Sequence, residues 1–122
     1  MIGTLLMCAS LLAVDGDTIK CDGVNLRDMG DGAPFVSGYD TPETRGAKCP
    51  AELELGRAAT ARMSELLETE GLRIIESGER DRYGRPLVSA VLANGQSIGA
   101  VMIAEGLAVE WTPDASSDWC EQ

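Results

Sequence analysis

The chain of 122 residues contains no histidine. That absence removes histidine-bearing zinc sites, Ser-His-Asp triads and imidazole general bases, and leaves carboxylates, arginines and cysteines for any catalysis. Positive charge is scarce as well, with ten lysines and arginines against twenty acids and a formal net charge of −10. Long-range attraction to nucleic acid or to an anionic membrane is thereby excluded, so a phosphate partner would have to be gripped locally. No basic residue follows Arg85, which gives the C-terminal third a negative field. Paired C-x-x-C cysteines are missing too: Cys8, Cys21, Cys49 and Cys120 are scattered, against a zinc ribbon or a thioredoxin-like centre. Their even number fits two disulfides, and so an oxidising, extracytoplasmic compartment, better than four free thiols. No apolar run reaches the roughly 20 residues that span a bilayer, and no membrane partner is expected. The opening MIGTLLMCASLLAV lacks the basic flank of a signal peptide and reads as a strand; the signal peptide of an exported protein is expected to be missing from this chain.

What is present fits one domain over residues 1–122, with a polar tail from about 112. Leu5 to Val14 is apolar and ends at Asp15-Gly16, a dipeptide that favours a tight turn. Thr18 to Cys21 resumes an extended pattern, Asp22-Gly23 makes a second turn, and Val24 to Met29 alternates with period two. Gly30 to Gly38 is rich in glycine and reads as a loop. Pro50-Ala51-Glu52 opens a long helix whose Leu55, Ala59, Met63, Leu66 and Leu67 recur at helical spacing up to about Glu70. Leu72 to Ser77 and Leu87 to Leu92 suit a fourth and a fifth strand. Ser97 caps a short helix stopped at Gly106, and Leu107 to Trp111 is extended. The pattern is α+β and mainly β. A five-stranded barrel with two to three packed helices, laid out as an OB-fold, accommodates it most simply.

Three motifs carry potential chemistry, and each alone has a plain structural reading. VDGDT, Val14 to Thr18, is a preferred hairpin turn, or else half of a metal site. In YDTPET, Tyr39 to Thr44, Asp40 or Thr41 can cap a helical turn with Pro42 at its first position. ERDRYGRP, Glu79 to Pro86, is equally a solvated charged loop closing on Tyr83-Gly84.

Taken in order, VDGDT, DTPE and DRYGR resemble the staphylococcal nuclease (thermonuclease) family, and the resemblance runs from about Val14 to Val109. The Cys49-Pro50-Ala51-Glu52 helix start, followed by Gly56 and Ala59, and the segment from Ile103 to Ala108 extend it. The resemblance implies an OB-fold and a calcium-dependent phosphodiesterase acting on DNA and RNA as a monomer. It puts the metal ligands at Asp17, Asp40 and the main-chain carbonyl of Thr41, with Asp15 in support. Hard oxygen donors of that kind suit calcium. It further puts the general base at Glu43 and a phosphate-holding arginine at Arg85, with Arg82 and Tyr83 flanking the phosphate.

The family's second arginine stands five residues before the aspartate of DTPE, where this chain has Phe35. Arg27, nine residues after Thr18 and within VNLRDMG, matches the family's third strand instead. An insertion in the region Gly30 to Tyr39 then separates Arg27 from Asp40, and DGAPF inside it imitates the aspartate motif without its glutamate. The plain alternative is that Arg27 is an exposed strand residue paired with Asp28 or Glu43. Two departures point to a weaker grip on substrate: the basic C-terminal helix of larger relatives is not in this chain, and Thr112 and its neighbours replace their nucleotide-binding tyrosines. A catalytically impaired OB-fold binding module of nuclease descent is therefore the alternative function. Among the three possible cysteine pairings, Cys8 with Cys21 would clasp the first hairpin and Cys49 with Cys120 would tie the helix start to the tail.

Overall fold

A computed structural model describes residues 3–115 and 117–120; the first residues of the expected first strand and part of the tail lie outside them. The elements run β1 (Thr4–Leu6), β2 (Leu11–Ala13), β3 (Thr18–Cys21), β4 (Val24–Asp28), β5 (Gly38–Asp40), α1 (Pro50–Leu67), β6 (Arg73–Arg80), β7 (Pro86–Val91), α2 (Ile98–Ala104) and β8 (Val109–Trp111).

Six strands form one sheet in the order β1-β6-β7-β4-β3-β2, and β5 pairs with β8 in a separate ribbon. The two edge strands of the large sheet, β1 and β2, are consecutive in the chain. Met7 to Ser10 joins them, so the sheet curls until its first strand borders both ends. That curl makes an OB-type barrel in which β4 and β7 run parallel and the other pairings are antiparallel. The single first strand expected over Leu5–Val14 is thus two short strands, because one straight strand cannot pair with β3 at one end and β6 at the other. Cys8 in the joint is bonded to Cys21 at the end of β3, which fixes the corner.

The helix expected from Pro50 begins there, with Cys49 as its N-cap, and ends at Leu67 rather than Glu70. Its Gly56, Ala59, Met63, Leu66 and Leu67 face the barrel, at the spacing that places side chains on one stripe. They close the core with Ile19, Leu26, Ile74, Val88, Ile98 and Met102. Ser97 caps α2 by accepting the Ala100 N–H at 3.0 Å. Two helices are present among the described residues. The tail is not merely polar: Trp119 is buried, and Cys120 is bonded to Cys49, which pins the end of the chain against the start of α1.

Among the described residues no helix is long and apolar enough to cross a membrane.

Candidate active site

The Asp15-Gly16-Asp17 turn connects β2 to β3 and is held by its own atoms. The Asp15 carboxylate accepts the Asp17 N–H at 3.1 Å, and the Val14 N–H reaches the Thr18 carbonyl at 2.9 Å. Gly16 is required by its neighbour: a Cβ there would lie 2.7 Å from the Thr41 side chain. The acidic turn therefore rests directly on the segment that carries Asp40 and Thr41.

A similar contact places Glu43. A Cβ on Gly56 would lie 2.6 Å from the Glu43 carbonyl oxygen, so only glycine lets the Pro42-Glu43 backbone lie on α1. The Glu52 carboxylate, buried in the first turn of α1, accepts the Glu43 N–H at 3.1 Å and the Lys48 N–H at 2.8 Å. These two main-chain donors, first Lys48 and then Glu43, hold its carboxyl below the usual range.

The guanidiniums come from neighbouring strands. Arg27, on β4, pairs with the Asp17 carboxylate and donates to the Tyr39 carbonyl. It is neither an exposed strand residue nor a partner of Asp28 or Glu43. Arg85, at the end of the β6–β7 turn, donates to the Asp81 carboxylate at 2.7 Å and to the Thr18 hydroxyl at 2.9 Å. Asp81 also accepts the main-chain N–H groups of Tyr83 and Arg85, so one carboxylate shapes the whole DRYGR turn. Arg82 and Arg85 stack against the Tyr83 ring at 4.9 and 5.6 Å.

Asp15, Asp17, Arg27, Asp40, Glu43, Arg82, Tyr83 and Arg85 all line one open pocket of about 630 Å³. Thr41 is buried beside Gly16 and is not among the lining residues. With Asp81, five carboxylates line the hollow, and the proton affinities of Asp15, Asp40 and Glu43 record their burial and mutual repulsion. Burial and then the Asp17 charge push Asp15 up to about 7. The same two causes raise Asp40, and burial followed by Asp17, Asp40 and Glu52 raises Glu43. Asp17 goes the other way: burial opposes its charge, but Arg27, with help from Asp15 and Arg85, keeps it ionised. The donors are all oxygen, and Asp15 and Asp40 form no ion pair among the described residues. That chemistry fits a hard divalent cation. Among the described residues no three acidic or sulfur side chains are grouped so that they could hold a metal ion, so main-chain, water or substrate oxygens would have to supply most of the shell.

Sequence reading missed two supports of this pocket. Asp28 is fully buried, accepts N–H bonds from Gly30 and Ala90, and lies 2.7 Å from the Tyr39 hydroxyl. That hydroxyl is also 3.1 Å from the Gly16 carbonyl, so one tyrosine links the acidic turn to the strand bearing Asp40. The signal was present in β4: Asp28 shares the phase of buried Leu26, where an acid needs a partner. The second support, Glu52, read only as an acid suited to a helix N-terminus.

The family model for staphylococcal nuclease homologues matches residues 35–119. The chain belongs to the staphylococcal nuclease family. This match contains Asp40, Thr41, Glu43, Arg82, Tyr83 and Arg85, whereas Asp15, Asp17 and Arg27 precede it and join the pocket through the barrel. No curated protein matches the chain. Family membership makes the chain a nuclease-type or nuclease-derived module.

Proposed function

We propose that the protein is a calcium-dependent nuclease that hydrolyses phosphodiester bonds of DNA or RNA. The observation that carries this reading is the convergence of Arg27 and Arg85 with Asp17, Asp40 and Glu43 on one pocket in a chain of net charge −10. Two guanidiniums held in an acidic hollow suit a phosphate better than any other common group. Asp17, Asp40 and the Thr41 carbonyl would hold the calcium, with Asp15 steadying the turn. Bound there, calcium supplies positive charge to the phosphate oxygens and to the attacking water.

The protein's own groups do the rest. Glu43 accepts the proton of the attacking water, and its raised affinity for protons favours that task. Glu52 fixes the backbone from which Glu43 projects. Arg27 and Arg85 bind the phosphoryl oxygens and stabilise the charge that grows on them, while Arg82 and Tyr83 flank the phosphate. Two disulfides are compatible with an extracytoplasmic location, where they persist.

The test uses single-stranded DNA and RNA with calcium or with chelator. Cleavage is expected in calcium only, and Glu43→Gln is expected to slow it by roughly 10² to 10⁴; cleavage indifferent to both changes overturns the reading. One observation favours the alternative of a binding module: Arg27 already neutralises Asp17. Calcium binding, seen as a rise in Tm, without cleavage of any substrate would select it.

A further inference from the structure

Asp40, one of the proposed calcium ligands, is carried on a weak support. It ends β5, a strand of three residues. Among the described residues its sheet partner is β8 alone, in a two-stranded ribbon apart from the six-stranded sheet, and a ribbon of that size holds its own shape poorly. Tyr39 steadies the backbone beside it through its hydroxyl and carbonyl, but the Asp40 carboxyl needs partners of its own. Asp17 is fixed by its pairing with Arg27, whereas Asp40 forms no ion pair among the described residues. Its carboxyl accepts a hydrogen bond from the hydroxyl of Ser117 and one from the main-chain N–H of Thr41, the next residue.

Ser117 comes from the tail, which folds back to reach that carboxyl. The Ala115 N–H donates to the Thr112 carbonyl at 3.0 Å and turns the chain just after β8. Ser117 is half-buried and does not line the pocket, so it acts on Asp40 and not on a substrate. Asp118 lies near enough to Glu52 for the two charges to repel, and its carboxylate accepts the Cys120 N–H at 2.9 Å. Trp119 is buried, and Cys120 is bonded to Cys49, the N-cap of α1. Ser117, Asp118 and Cys120 thus meet Asp40, Glu52 and Cys49, and the stretch they meet is the one that carries Asp40, Thr41 and Glu43.

We infer that Ser117 is a positioning residue for the calcium ligand Asp40, and that the Cys49–Cys120 bridge is the latch that keeps it in place. The inference rests on the proposed calcium site for the role of Asp40 and on no other part of the nuclease reading. A group that hydrogen-bonds a metal ligand fixes its orientation, and loss of that group weakens metal binding by roughly 10- to 100-fold. Ser117 lies on a segment with no helix or strand among its described residues, and such a segment keeps its place only where it is tied down. Cys120 stands three residues beyond Ser117, so the bridge limits how far the hydroxyl can move. Calcium affinity is thereby tied to the oxidation of two cysteines that lie outside the pocket.

The experiment titrates calcium alone into the full chain by calorimetry and reads the Tm of each protein without calcium. Ser117→Ala is expected to raise the calcium Kd about tenfold while leaving that Tm nearly unchanged, and Ser117→Thr, which keeps a hydroxyl, is expected to recover most of the affinity. Cys49→Ser with Cys120→Ser stands for the chain with both thiols reduced and is expected to weaken calcium to the same extent, at a temperature where the variant is folded. Adding Ser117→Ala to it is expected to change the affinity no further, because a hydroxyl already released cannot be lost twice. An unchanged Kd in Ser117→Ala overturns the inference, and so do additive losses in the combined variant, which would mean that serine and bridge act separately. Ser117→Ala keeps the bridge, so its Kd decides the matter if the cysteine variant does not fold. Cleavage of DNA in calcium is scored separately. Cleavage with a Kd indifferent to Ser117 removes the inference alone; Ser117-dependent calcium binding without cleavage removes the nuclease reading alone; and no calcium binding by the unaltered chain removes both.

Discussion

Asp15 carries the least favourable charge in the pocket. Burial and the neighbouring Asp17 raise it to about 7, so the folded protein binds this proton more tightly than the unfolded chain does. Its contribution to stability is complete below about pH 4 and is lost as pH rises through 7. Asp28, raised by burial to about 6 with Tyr39 in opposition, acts in the same direction. In chelator, stability is therefore expected to fall between about pH 4 and 7. Asp15→Asn keeps the oxygen that accepts the Asp17 N–H and removes the charge. It is expected to stabilise the protein at pH 8 by on the order of 2 kcal/mol, less than the full shift implies because Asp15 is partly open to water, and to flatten the upper part of that fall in denaturant titrations. Tyr39→Phe leaves buried Asp28 short of a donor and is expected to cost about 1–3 kcal/mol; an unchanged unfolding midpoint would show that the Tyr39 hydroxyl is no strut. At this scale types and phases were legible, for β4 showed that Asp28 follows Leu26, but partners were not. Nothing in the order of residues says that Tyr39 reaches back to Gly16, because that contact depends on how the barrel folds the chain over itself.

Elements were the most legible scale. β3 occupies Thr18–Cys21, as an extended run between two Asp-Gly turns predicts, and α1 starts at Pro50 because proline and acid agree there. Misreadings cluster where tertiary pairing decides: the first strand breaks at a barrel corner, and β6 runs on to Arg80, which shortens the charged loop to a tight turn shaped by Asp81. The start of α1 also serves the site. Glu52→Gln removes one acceptor from the pair of N–H groups on Glu43 and Lys48. It is expected to lower kcat several-fold with little change in KM, since it loosens the backbone beneath Glu43, the proposed base, while leaving both arginines in place. An equal rise in KM would mean that Glu52 supports binding instead.

For the whole molecule, the α+β barrel was readable from strand order and turn chemistry alone, and family order made the pocket readable with it. The spacing anomaly between Arg27 and Asp40 was visible in the sequence; the conformation of the loop between them was not, because the exposure and backbone angle of Phe35 exist only in three dimensions. The longer disulfide joins residues 71 apart, so its removal is expected to cost about 4 kcal/mol by the loop-closure estimate. Cys49→Ser with Cys120→Ser is the suitable pair of changes. Serine preserves the cap that Cys49 gives the Glu52 N–H, and the drop in Tm then reports the cross-link alone.

The two bridges also differ in when they can form. Cys8 and Cys21 are 13 residues apart and meet once the first hairpin has folded, early in the life of a growing chain. Cys49 must wait for Cys120, and closure of the barrel waits for Thr4–Leu6 to find Ile74–Glu76. Oxidative folding is therefore ordered in time, and quenching it early with a thiol-alkylating reagent is expected to trap a species bridged only between Cys8 and Cys21. A trapped species carrying Cys49–Cys120 alone would reverse that order.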